Sequence, residues 1–254
     1  MPLTDKVASA FSQEQYANPY PDGIQHHYWT VARHRIIRRN IAALVSQDRQ
    51  TILDVGCGRG ITVDYLRGQM LNAIGCEIAN PTPIAESVVP YLYLNQDAFQ
   101  LPGSIREDCG LLLILDVLEH LSSPDDFLSR CYEAFPAAAY IFVTVPARME
   151  LWSNYDDYYE HFVRYDQATL RSICSPALYD VNRIEYFFHS LYAPALALKY
   201  LGRDRSVKIN PPAPWARPIH RLIATAFDFE QIVVPGKVIG TSLLCILKRR
   251  RQRQ

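Results

Sequence analysis

The chain is organised as short apolar runs, each followed by a turn signal and then by helical spacing. Thr51-Ile52-Leu53-Asp54-Val55 is too brief for a helix and meets glycine at once, so it predicts a buried strand. Gly56-Cys57-Gly58-Arg59-Gly60 makes the turn, and Ile61-Thr62-Val63-Asp64-Tyr65-Leu66 then repeats with helical period. Residues 71–77 predict a second strand ending on Glu77, and residues 91–94 a third. Between them Asn80-Pro81-Thr82-Pro83 leaves room only for a short helix near 84–89, because proline lacks an N–H and restricts its predecessor. The run at 110–116 is the most apolar, as expected of a central parallel strand buried on both faces. Tyr140-Ile141-Phe142-Val143-Thr144-Val145-Pro146 predicts a fifth strand, and 181–188 with 242–248 an antiparallel edge.

Helical spacing marks the intervening segments. Trp29, Ala32, Ile36, Ile37, Ile41, Leu44 and Val45 recur at three- and four-residue intervals, which predicts a helix over 28–45. Ser122 and Ser123 are expected caps for a helix starting at Pro124, and Asp166 for one at 167–174. Residues 190–240 form an insertion with an apolar segment at 191–201, a proline-rich turn and a second helix near 218–230. The first twenty residues read as a mobile or loosely docked arm.

Strands alternating with helices argue an α/β class, and 254 residues fit one domain. Its parts are an arm and lid helix (1–45), a core (46–188 and 241–248) and the insertion (190–240). Lys+Arg and Asp+Glu are equal at 26 each, which removes any overall electrostatic case for a nucleic-acid partner. The exception, Lys248-Arg249-Arg250-Arg251-Gln252-Arg253, reads as a solvated tail. Six cysteines without a C-x-x-C pair fit reduced, packed residues of a cytoplasmic protein. No signal-type or membrane-spanning apolar run is evident. Arg203, Arg205, Lys208, Arg217 and Arg221 beside the apolar segment offer a peripheral membrane contact as the alternative to a lid or simple packing.

The candidate chemistry starts at Asp54. A carboxylate before the glycine turn suits a ligand bearing an ammonium group and opposes a bare pyrophosphate. The glycines fall as G-x-G-x-G, whereas the dinucleotide fingerprint is G-x-G-x-x-G. In a turn of this kind, backbone N–H groups and the helix N-terminus are expected to face the ligand. Glu77, 21 positions after Gly56, suits a pair of ribose hydroxyls. Asp97 is read either as a turn cap or as a ligand contact.

Ile52-Leu53-Asp54-Val55-Gly56-Cys57-Gly58 resembles motif I of the class I S-adenosylmethionine-dependent methyltransferases. Leu115-Asp116-Val117-Leu118-Glu119-His120-Leu121 resembles the string after strand four in their small-molecule members, including those of quinone biosynthesis. The resemblance covers roughly 28–188 and the final strand. It implies a Rossmann-like seven-stranded sheet of order 3-2-1-4-5-7-6 with helices on both faces. It also implies S-adenosylmethionine as cofactor, with Asp54, Gly56, Cys57 and Gly58 around it and Glu77 on the ribose. Asp97 would take the adenine amino group, the Ala98 N–H a ring nitrogen, and Asp116 would line the methionine end. Arg33 or Arg35 of the aromatic-and-arginine helix would meet the methionine carboxylate. His120, and His161 in Glu160-His161-Phe162-Val163-Arg164-Tyr165-Asp166, are candidate bases; His161 reads equally well as a loop hydrogen bond.

The acceptor would be a small molecule methylated on O or N. The competing readings are a nicotinamide-dependent oxidoreductase on a related sheet and a cofactor-binding scaffold without turnover. A base-flipping nucleic-acid enzyme is disfavoured because Asp116-Val117-Leu118-Glu119 replaces the Asn/Asp-Pro-Pro-Tyr/Phe string. No metal is needed for this chemistry, and no compact ligand set is visible in the sequence.

Overall fold

A computed structural model describes residues 11–45 and 50–250. Seven strands form one sheet of order β3-β2-β1-β4-β5-β7-β6. They are β1 (Thr51–Val55), β2 (Ala73–Glu77), β3 (Leu92–Leu94), β4 (Cys109–Leu115), β5 (Tyr140–Pro146), β6 (Tyr179–Phe187) and β7 (Ser242–Arg249). The first five are parallel, and β7 runs antiparallel between β5 and β6. This is the class I methyltransferase Rossmann-like fold.

Strand alternation sends neighbouring residues to opposite faces. Ile52, Leu111, Leu113, Phe142, Leu244 and Ile246 pack on one side with Ile36 and Ile37 of α2 (Tyr28–Ile41, after α1, Gln13–Ala17). The helices α3 (Ile61–Gly68) and α9 (Arg217–Val233) lie on this side too, through Val63, Leu66, Ala224 and Phe227. Leu53, Leu112, Ile114, Ile141, Val143, Leu243 and Cys245 face the other side. There they meet Leu128 and Cys131 of α5 (Pro124–Ala134) and Leu170 of α7 (Gln167–Ser172). Smaller helices are α4 (Gly103–Asp108), α6 (Asn154–Tyr158) and α8 (Tyr192–Tyr200). Fully buried Leu111, Leu113 and Phe142 each contribute roughly 1.5–3 kcal/mol. The sheet is therefore a rigid platform for the loops at its ends.

Several expectations need correction. The helix predicted over 28–45 stops at Ile41, and the short helix expected near 84–89 is a 3-10 turn at Glu86–Tyr91 with Pro90 inside it. Ser123 occupies the N-cap of α5 but its side chain makes no cap bond, whereas Asp166 caps α7 through a reciprocal pair with Thr169. The arm from residue 11 onward is docked, not loose: Tyr16 is buried and Ser12 caps α1; residues 1–10 lie outside the described chain. Of the basic tail, Arg249 packs over the Tyr132 ring and Arg250 pairs with Asp180, so neither is simply solvated; residues 251–254 lie outside the described chain. All six cysteines are buried and free.

Candidate active site

The parallel strands end along one edge, and the strand order reverses between β1 and β4, where open α/β sheets form a crevice. A cavity of about 1900 Å³ opens there. The sequence-predicted residues Arg33, Asp54, Gly56, Cys57, Gly58, Glu77, Asp97, Ala98, Asp116, His120 and His161 all line it. One wall is the glycine turn. Gly56 has φ +75°, and a Cβ there would lie 2.8 Å from Val117 Cγ2, so the turn and the segment after β4 approach only without a side chain.

The donors of this turn are spent internally, against expectation. Gly56 and Cys57 N–H both donate to the Cys76 carbonyl, at 2.9 and 3.0 Å, and Gly58 N–H donates to Glu77 Oε2 at 3.0 Å. A pyrophosphate would find none of these three free. Asp54 presents the opposite need: it is 2 % exposed, and its Oδ1 has no hydrogen-bond partner among the described residues. Burial pushes its pKa up to about 7, against the pull of Arg33 and with help from Glu77 and Asp116. A buried acceptor in this state calls for a cationic donor. Glu77 Oε1 also accepts from Ala79 N–H, which fixes the carboxylate at the strand tip while leaving lone pairs toward the cavity.

Asp97 does cap its turn, accepting from Phe99 N–H at 2.9 Å through one oxygen. Arg33 is committed to Asp116 and to Thr144 Oγ1, the latter at 2.9 Å, and lies over the Trp29 ring. It therefore fixes Asp116, whose backbone sits at φ +56°, with two of its five N–H donors. Arg35 is excluded from the cavity because it reaches Thr225 on α9.

The opposite wall is built from distant segments. His161 Nδ1 is 2.8 Å from Asp156 Oδ1, and Arg164 Nε donates to the same oxygen at 2.7 Å. Ser153 N–H and hydroxyl hold the other oxygen. Burial pushes the Asp156 pKa up, but the bonds from His161 and Arg164 win and keep it well below the usual range. The His120 ring sits edge-on to His161, centroids 4.6 Å apart; burial and then His161 lower its pKa to about 4. Glu119, 1 % exposed, is driven well up by burial and by Asp116. Thus Glu119, His120 and His161, which showed no compact ligand set in the sequence, bring one nitrogen or oxygen atom each within 4.8 Å of one another.

Other contributors escaped the sequence reading. Phe11 packs on His120, centroids 5.0 Å apart, and Tyr16 lies beside Glu77; burial, and then the Glu77 charge, pushes its phenol up. Buried Arg59 ties the arm down through Tyr20 O and Asp22 Oδ1 and also grips Thr82 O. From the insertion, Arg203, Arg205 and Lys208 line the cavity, with Arg205 over the Tyr155 ring. The only foreseeable signal was the capping pattern at Ser153, three residues before Asp156. No described helix is long and apolar enough to cross a membrane.

A family model described as a methyltransferase domain matches residues 28–179, more than half of the chain. Among solved structures, the fold resembles the N-methyltransferase NodS from Bradyrhizobium japonicum in complex with S-adenosyl-L-homocysteine. The identity is 10 %, with 94 % of this chain and 98 % of that one covered and a TM-score of 0.54. It also resembles a Haloferax volcanii complex of the Trm112 activator with a methyltransferase (14 %, 94 % and 96 % covered, TM-score 0.53). A third is the plantazolicin methyltransferase BpumL in complex with the same product (13 %, 94 % and 88 %, 0.51). A search of curated proteins found no significant match. With motif, sheet order and family match in agreement, the chain belongs to the methyltransferase domain family.

Proposed function

We propose that the chain transfers the methyl group of S-adenosylmethionine to an oxygen or nitrogen atom of a small-molecule acceptor. The observation that carries this reading is the unpartnered Asp54 oxygen beside a turn whose N–H donors are already used. That pairing accepts an ammonium group and gives a pyrophosphate nothing to bind. When bound, the cofactor supplies a sulfonium-activated methyl group.

The residues of the chain then have mainly positional work. Asp54 accepts from the ammonium, Glu77 from ribose hydroxyls, and Asp97 with the Ala98 N–H holds the adenine. The Arg33–Asp116 pair shapes the methionine end, and Gly56 and Gly58 let the ligand approach the backbone. Holding an acceptor atom in line is worth up to about 7–11 kcal/mol in favourable cases. His120 and His161 face the acceptor with nitrogen lone pairs. Withdrawal of a hydroxyl proton during attack would add roughly 10²–10⁴-fold. The arm and the insertion close the cavity over the acceptor.

Calorimetric titration with S-adenosylmethionine, S-adenosylhomocysteine and NADH tests this reading. Saturable binding of the first two and none of the third is expected. Asp54→Asn and Glu77→Gln should each weaken binding about tenfold or more, since a hydrogen bond to a charged group is worth roughly 1.5–3 kcal/mol. Binding of NADH alone would overturn the proposal.

A further inference from the structure

Glu119, His120 and His161 each offer one ligand atom, and these atoms lie within 4.8 Å of one another. Two of the three residues carry orphaned atoms: Glu119 Oε2 and His120 Nδ1 are buried without a hydrogen-bond partner among the described residues. Leaving a buried carboxylate oxygen unpaired is costly, so this position calls for a cation. The neighbouring arginines do not answer it. Arg33 is bound to Asp116 and Thr144, and Arg164 to Asp156 and the Ala147 carbonyl.

The third residue is prepared from behind. Asp156 holds His161 Nδ1, and is itself fixed by Arg164 and Ser153. A carboxylate that takes the proton of one ring nitrogen leaves the other as a lone pair in a set direction, the arrangement that orients histidine metal ligands. A loop histidine serving only local structure would not need a second imidazole and a buried carboxylate within 4.8 Å of its ligand atom.

We propose that Glu119, His120 and His161 form a site for a divalent transition-metal ion of the zinc or manganese class, with its open positions directed into the cavity to receive an acceptor hydroxyl. Two imidazoles and one carboxylate suit such borderline ions better than calcium or magnesium, which prefer all-oxygen sets. Three protein ligands leave room for further ones, and all three residues line the cavity. This inference rests on the methyltransferase reading and deepens it: it selects oxygen over nitrogen as acceptor and gives the His120 and His161 lone pairs to the ion in place of the acceptor proton. Metal coordination acidifies the hydroxyl, whose proton passes to water in the cavity. The new O–C bond forms as the S–C bond breaks, with the electron pair staying on sulfur to leave a neutral thioether.

The test is titration of chelator-stripped protein with Zn²⁺ by calorimetry and with Mn²⁺ by electron paramagnetic resonance. S-adenosylhomocysteine is titrated into the same samples. One ion per chain is expected. Glu119→Gln, which keeps the side-chain shape, and His161→Gln should abolish stoichiometric binding, while Asp156→Asn should weaken it about 10–100-fold. S-adenosylhomocysteine affinity should hold in Glu119→Gln. If the wild type shows no saturable ion binding, or if Glu119→Gln binds the ion as well as wild type, the inference is overturned. Should S-adenosylhomocysteine bind while the metal does not, this inference alone fails. Should the metal bind while S-adenosylhomocysteine does not, the methyltransferase reading is the one lost.

Discussion

The two walls of the cavity are built on different principles. The cofactor wall is made of strand ends and backbone: Asp54, the glycine turn, Glu77 and Asp97 come from consecutive βα units, each positioned by its own strand. The acceptor wall is made of side chains from segments far apart, with Phe11 from the arm, His120 after β4, Asp156 and His161 after β5 and Arg205 from the insertion. A wall built from backbone geometry tolerates little change at its glycines but depends weakly on any distant residue. A wall assembled from buried charged side chains fails when one partner is removed.

The largest effect should therefore come from the acceptor wall. Asp156 is fully buried and serves His161, Arg164 and Ser153 together. Asp156→Ala leaves the Arg164 guanidinium buried and unpaired, and breaking such a pair costs about 3–5 kcal/mol. Urea denaturation should show that loss; a change below about 1 kcal/mol, the range of exposed pairs, would mean the network is not the keystone of this wall. On the cofactor wall, Gly56→Val forces a branched residue into φ +75° and against Val117. Strain of this kind costs about 1–3 kcal/mol. Its signature should be loss of S-adenosylhomocysteine binding with the sheet still folded, read by calorimetry alongside circular dichroism.

A pH dependence sharpens the same contrast. The folded pKa of Asp54 lies near 7, above the unfolded value of about 3.9. The folded state then binds the extra proton between these values, so stability is present at low pH and falls as pH rises from about 4 to 7. Asp54→Asn should flatten that slope and raise the melting temperature of the ligand-free protein at pH 8, while weakening cofactor binding. In the wild type, binding should strengthen from pH 6 to 8 as the carboxylate ionises. An unchanged melting temperature in the variant across this window would contradict the assignment.

This division also explains what could be read from the sequence. Strand ends follow from apolar runs and glycine punctuation, so the positions of Asp54 and Glu77 were accessible one segment at a time, whereas the sheet order and the cavity positions of Asp97 and Asp116 came only through the methyltransferase resemblance. Arg33 was placed at the cavity but not in its bond to Asp116, because ion pairing across 83 residues leaves no local pattern. Asp156 showed only the Ser153 capping pattern, because its bonds to His161 and Arg164, five and eight residues on, follow no helical or strand spacing. The arm looked loose because its anchor, Arg59, belongs to the glycine turn, where only the glycines attract notice. Arg59→Ala should release the arm, speed hydrogen exchange over 13–22 and weaken S-adenosylhomocysteine binding about tenfold, given roughly 1.5–3 kcal/mol for each charged hydrogen bond lost.

The smallest expected effect separates two caps that look alike in the sequence. Ser123 precedes α5 and Asp166 precedes α7, and both residue types favour the N-cap. Only Asp166 performs it: its carboxylate accepts from Thr169 N–H at 2.7 Å, and Thr169 hydroxyl accepts from Asp166 N–H at 2.8 Å. At α5, Pro124 already removes one unpaired donor and fixes the first helical φ, so the serine side chain has less to do. Asp166→Ala should therefore cost about 1 kcal/mol, and Ser123→Ala less than about 0.5 kcal/mol. Equal losses in chemical denaturation would show that Ser123 caps α5 in solution after all, and that the helix following β4 is held by its side chain as well as by its proline.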